Sequence, residues 1–120
     1  MREIKFRAWD GKELSYSHKD LGNWFLEHDD MKELMQFTGL KDKNGKEIYE
    51  GDILKFNLYY TIVRNGIVDI SDNEDYGSNR ISGFYLETYE GRYVHMDSYY
   101  LDDTEVIGNI YENPELLKKY

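Results

Sequence analysis

The sequence predicts an α+β protein that is mostly β, on three observations. Aromatic residues make up 16% of the 120 positions, and 12 of them are tyrosine. Tyrosine suits a pleated surface with one face buried and its hydroxyl kept wet, which favours sheet over helix bundle. Several segments alternate apolar and polar residues with the period of a strand. Corners are built with glycine, since there are 10 glycines and a single proline, Pro114. Asp10-Gly11, Asn44-Gly45 and Asn65-Gly66 are turn dipeptides, because these residue types accept the backbone angles of tight corners.

Taken in order, Glu3 to Trp9 alternates, with Ile4, Phe6 and Ala8 on one face and Lys5 and Arg7 on the other. That pattern predicts a half-buried strand. Asp10-Gly11-Lys12 turns the chain, and residues 13–16 pair back. Residues 17–30 fit neither period, although Leu21, Trp24, Phe25 and Leu26 are apolar. Residues 29–36 could open a helix capped by Asp29 or Asp30. The closeness of Gly39 favours a strand over Leu34, Met35 and Phe37. Asp42-Lys43-Asn44-Gly45 is a turn, Ile48 and Tyr49 are inward anchors, and Gly51-Asp52 opens a strand through Phe56. Residues 59–70 are strand, with Asn65-Gly66 either a hairpin corner or a bulge in one long strand. Residues 71–80 read as an exposed loop. Residues 81–89 and 92–96 flank Glu90-Gly91 as a hairpin, and 97–103 is a connection. Glu105 to Tyr111 is a last strand. Asn113-Pro114 starts a short helix, with asparagine as cap and proline at the first position.

Composition limits what the chain can do. It has no cysteine, which excludes disulfides, thiol catalysis and cysteine metal sites. The start Met1-Arg2-Glu3-Ile4-Lys5 is charged where a leader peptide would be apolar. No apolar stretch approaches the roughly 20 residues that span a bilayer. The expected location is the cytoplasm, with no membrane partner. The net charge of −9, from 24 acids against 15 bases, disfavours non-specific nucleic-acid binding, which needs a positive surface. Arg2, Lys5 and Arg7 form the only compact N-terminal basic group.

No constellation carries chemistry. His18, His28 and His95 share no metal-pair spacing. Asp72-Asn73-Glu74-Asp75 resembles half a calcium loop, and Gly77 fits the sixth position, but Tyr76 and Gly83 stand where the fifth and twelfth ligands should be. Asp29-Asp30 and Asp102-Asp103 read as surface or capping pairs. Gly39 to Gly45 lacks the lysine and hydroxyl that end a phosphate loop. Tyr59-Tyr60, Tyr85/Tyr89/Tyr93 and Tyr99-Tyr100 could stack bases. The basic residues between them, Arg64, Arg80 and Arg92, are few, so cross-strand packing and protein contact are the expected uses. The expectation is no catalytic, cofactor or metal residue, no cofactor and no small-molecule substrate.

Three blocks resemble the YopX family. They are Arg2 to Asp10 (Arg-Glu-Ile-Lys-Phe-Arg-Ala-Trp-Asp), Leu34 to Ile53, which includes Thr-Gly-Leu-Lys-Asp-Lys-Asn-Gly-Lys-Glu-Ile-Tyr-Glu-Gly-Asp, and Glu105 to Leu117 (Glu-Val-Ile-Gly-Asn-Ile-Tyr-Glu-Asn-Pro-Glu-Leu-Leu). The resemblance implies a β-rich protein of phages and prophages of Gram-positive bacteria. It implies an α+β N-terminal piece at 1–45, an SH3-like barrel at 46–113 and a helical turn at 114–120. It carries over no catalytic residue. The central block agrees with a barrel, in which glycine permits a sharp turn into the first strand and closure of the sheet removes its edges. The function expected is non-catalytic: a protein–protein interaction or self-assembling module whose partner is another copy, or a host or phage protein. The alternatives are a nucleic-acid module using an SH3/OB-like face, and an acidic DNA mimic that inhibits a host protein.

Overall fold

The alternating N-terminal segment forms strand β1 (Phe6–Trp9), which lies between β2 (Leu14–Tyr16) and β3 (Glu33–Lys41). This computed structural model describes residues 4–27, 33–57, 59–69, 80–88, 91–96 and 103–119. The β1–β2 corner is set by Asp10, whose Oδ1 accepts the amides of Lys12 and Glu13 at 2.8 and 2.9 Å. Adding β4 (Glu47–Tyr49) completes an antiparallel sheet of order β2-β1-β3-β4.

Residues 21–27, where neither period was clear, form helix α1 (Leu21–Glu27). Asp20 caps it, accepting the Asn23 amide at 3.0 Å. Leu21, Trp24 and Phe25 stand at helical spacing. Trp24 is buried, and Phe25 meets Phe6 of β1 with ring centroids 5.5 Å apart. The expected capping role of Asp29-Asp30 lies outside the described residues. The strand reading of the next segment holds, but Gly39 does not stop it. With φ at 88° it sits in a register shift between Phe37 and Lys41, so the two extra residues of β3 are absorbed as an irregularity of the ladder.

The second sheet has the order β8-β7-β6-β5-β9, from β5 (Asp52–Phe56), β6 (Tyr59–Asp69), β7 (Arg80–Thr88), β8 (Tyr93–His95) and β9 (Glu105–Asn109). Asn65-Gly66 is neither a corner nor a bulge. It continues β6, and the two residues face Phe84 and Gly83 in unbroken register. Beyond Val63, β6 pairs with no strand but β7 among the described residues, so the two strands run on as a ribbon. The molecule is accordingly elongated, 49 × 31 × 25 Å. The sheet curls into a half-barrel whose two end strands, β8 and β9, do not pair among the described residues, in place of the closed barrel expected. Pro114–Lys119 is a 3-10 helix. Of the loop expected at 71–80, Arg80 instead opens β7, and residues 71–79, with the acidic Asp72 to Asp75, lie outside the described residues, as do most of 97–103.

The half-barrel core is Leu54, Val63, Leu86 and Val106, joined by Ile48 from β4 of the first sheet. Burying each such side chain contributes about 1.5–3 kcal/mol, so Ile48 fastens the two sheets together. Pairing places β4 with the N-terminal sheet, and the change of sheet therefore falls at Glu50-Gly51. There Gly51, with φ at 88°, donates to Val63 O at 2.7 Å and accepts from the Ile110 amide at 2.9 Å. A Cβ at this position would sit 3.0 Å from Met35 Sδ.

Candidate functional site

The charged residues that the structure brings together lie in the seam between the sheets. Alternation places Arg7 on an outward polar face, but it is 3% exposed, whereas Ile4 is 63% exposed. The second sheet covers the side of β1 that carries Arg7. Its Nη2 donates to Asp52 Oδ1 at 2.7 Å and to Glu50 O at 3.2 Å. The guanidinium carbon lies 4.9 Å from the centre of the Tyr49 ring, a cation–π contact. Asp52 Oδ2 accepts the Tyr49 amide at 2.8 Å. Asp52 therefore bonds back to a preceding amide and across to β1. Burial pushes its carboxyl above the ordinary value, and the Arg7 charge opposes that shift.

Asp42 makes a second link. Its Oδ1 accepts the amides of Asn44 and Lys46 at 2.8 and 2.9 Å, which closes the predicted turn. Its Oδ2 accepts the amide of Val106, 64 residues on, at 2.9 Å. Burial alone would raise this carboxyl, but the amides of Val106, Lys46 and Asn44 outweigh it and hold it below the usual range. The Lys43 amide donates to Thr104 O at 3.0 Å, so this turn covers the chain at the start of β9.

A third link closes the end of β9. Asn109 Oδ1 accepts the amides of Tyr111 and Glu112 at 3.0 and 2.9 Å, and the Asn109 amide donates to Asn113 Oδ1 at 3.2 Å. Tyr111 then stacks on Trp9 of β1, with centroids 5.8 Å apart. Gly108 is required because a Cβ there would lie 2.5 Å from Asn113 Oδ1. Gly108→Ala should cost about 1–3 kcal/mol by overpacking, read as a lower urea midpoint at unchanged slope. A loss under 0.5 kcal/mol would show that Asn113 moves aside.

A polar cavity of about 240 Å³ opens on this seam beside Arg7, Asp52, Asn109 and Asn113. Arg7 Nε is buried without an acceptor among the described residues. The arrangement ties two sheets together. Among the described residues no three of His, Cys, Asp and Glu converge as metal ligands. His18 is exposed, 3.9 Å from Glu27, and His95 is exposed on β8. His28 and Asp102 lie outside the described residues, and Asp103 is exposed.

Glu50 is half-buried, and burial raises its carboxyl despite the nearby Arg64 and Arg7 charges. A carboxyl raised on folding penalises the folded state in full above the folded value, and the penalty shrinks as pH falls through that value and is gone below the unfolded one. Glu50→Gln should therefore raise the Tm at pH 7 by about 2 °C, the equivalent of roughly 0.5 kcal/mol. The gain should vanish at acid pH, and a uniform gain across pH would refute the electrostatic cause.

The aromatic residues occupy a different surface. Phe56, Tyr59, Thr61, Leu86, Thr88, Val94 and Thr104 line a groove of about 280 Å³ in the half-barrel. Tyr59 is 59% exposed, and Tyr85 meets Tyr93 edge-on at 5.4 Å. Lys55 lies over Tyr60, 6.0 Å from the ring centre. Tyr89, Tyr99 and Tyr100 lie outside the described residues. No helix among the described residues is long and apolar enough to cross a membrane.

Together these features define a class: a small, mostly β protein of two sheets, fastened by a buried ion pair and two side-chain links to backbone amides. The chain belongs to the YopX family, whose model, described as YopX protein, matches residues 15–118. It is also similar to the crystal structure of protein EF1440 from Enterococcus faecalis. The two share 28% identity over 98% of this chain and 99% of that one, at a TM-score of 0.48. No curated protein matches the sequence.

Proposed function

We propose that this chain is a non-catalytic contact module, a phage or prophage product acting in the bacterial cytoplasm, whose SH3-like half-barrel binds a segment of a protein partner. The observation that carries this reading is the groove, whose walls include no Asp, Glu, Lys or Arg among the described residues. Apolar walls with a few hydroxyls suit a partner's apolar side chain and give a phosphate backbone nothing to bind. The basic residues weaken the nucleic-acid reading further, since Arg7, Lys5, Lys43 and Arg64 each face a carboxylate: Asp52, Glu47, Glu105 and Glu87. Capture from host lysate, with partners identified by mass spectrometry and sizes by light scattering, tests the reading. A strict monomer that retains no protein, or one that binds duplex DNA with a steep salt dependence, would sink it.

A further inference from the structure

We infer that the outer edge of β8 receives an extended, basic segment of the partner as an added strand. This inference rests on the contact reading above and gives it a surface. The two edges of the second sheet differ in what meets them. At β9, Asp42 takes the Val106 amide and the Lys43 amide takes Thr104 O. At β8, Tyr93, Val94 and His95 are all exposed, and β8 ends the strand order with β7 as its only neighbour among the described residues.

The hydrogen-bond phase of the hairpin fixes which groups face outward. Thr88 donates to Arg92 O at 2.8 Å, so these two residues form a hydrogen-bonded pair. Such pairs alternate along an antiparallel ladder. Leu86 and Val94, two places on, are therefore the next bonded pair. The N–H and C=O of Tyr93 and His95 then point away from β7, toward an incoming strand. Unpaired edge groups of this kind are what strand addition uses.

The side chains and charge indicate what would be added. Val94 lines the apolar groove together with Leu86, so an inward side chain of the added strand would extend that groove. Tyr93 and His95 lie on the opposite face, and its outward side chains would stand beside them. The chain as a whole carries a net charge of −9, which favours a basic occupant. A strand alternating apolar and basic residues matches both faces. A second copy of this chain, at −9, would bring like charge to the same edge.

The test uses the full chain and a labelled eight-residue peptide of alternating lysine and valine, followed by fluorescence anisotropy. Two control peptides alternate glutamate with valine, or hold the same lysines and valines in two blocks. The alternating lysine peptide should bind at least tenfold tighter than either control, and more weakly as salt rises. Amide exchange at Tyr93 and His95 should slow when it binds. His95→Pro removes one outward donor at an edge position that tolerates proline, and should weaken binding at least tenfold while the Tm stays within a few degrees. Equal binding of the three peptides, protection elsewhere, or unchanged binding by His95→Pro would overturn the assignment. If the variant still captures the partner that the unmodified chain captures, the edge assignment fails and the contact reading stands. If neither chain captures a partner, the contact reading itself fails.

Discussion

Arg7→Ala should destabilise the protein by about 3–5 kcal/mol, a large fraction of the 5–15 kcal/mol that holds an ordinary domain folded. The substitution strands Asp52, 1% exposed, as an uncompensated charge in the seam. It also removes the donor to Glu50 O and the guanidinium over Tyr49. Asp52→Ala should cost a similar amount, because it leaves both the guanidinium and the Tyr49 amide without their acceptor. Changing Arg7 to Met and Asp52 to Asn together should cost far less than the two single losses added. The double variant buries no charge, and asparagine still offers an oxygen to the Tyr49 amide. Urea unfolding of the double variant beside Arg7→Met and Asp52→Asn made singly closes the cycle and gives the coupling energy. If Arg7→Ala loses less than 1 kcal/mol, the ion pair does not fasten the sheets.

Asp42→Ala should cost about 3 kcal/mol and should also change how stability depends on pH. One carboxylate holds the amides of Asn44, Lys46 and Val106. Hydrogen bonds to a charged acceptor contribute about 1.5–3 kcal/mol, and a buried amide left without one carries its own penalty. The Asp42 carboxyl is lowered on folding. Its stabilisation is therefore complete above the unfolded value, near 3.9, and is lost as pH falls through the folded value. Unfolding midpoints at pH 7 and at pH 3 should differ less in Asp42→Ala than in the unmodified protein. Asp42→Asn should behave much like the alanine variant, because its amide nitrogen would confront amide donors on one side. An asparagine variant as stable as the parent would show that charge is not needed there.

Much of the fold is legible in local chemistry. The Asp10 corner, the Asp42 to Gly45 turn, the change of direction at Gly51 and the β7–β8 hairpin each follow from residues within a few positions of one another. Helix α1 was also written locally, in Asp20 and in the spacing of Leu21, Trp24 and Phe25, but competing apolar neighbours obscured it. Asn65-Gly66 shows where local reading fails. The dipeptide suits a corner, yet Phe84 and Gly83 pair with it and keep it extended. A ladder that continues on both sides outweighs a turn preference of this size.

Residue order alone determined that the chain would be sheet with glycine corners, because strand period and turn chemistry are properties of neighbouring residues. It also carried the family, through blocks at both ends and in the middle. Only the tertiary structure decided that Arg7 turns inward to Asp52, 45 positions away, and that Asp42 reaches β9. Whether a charge is buried depends on which distant surface comes to cover it, and alternation along one strand says nothing about that surface. The same holds for the edge of β8, which is exposed because the half-barrel ends there.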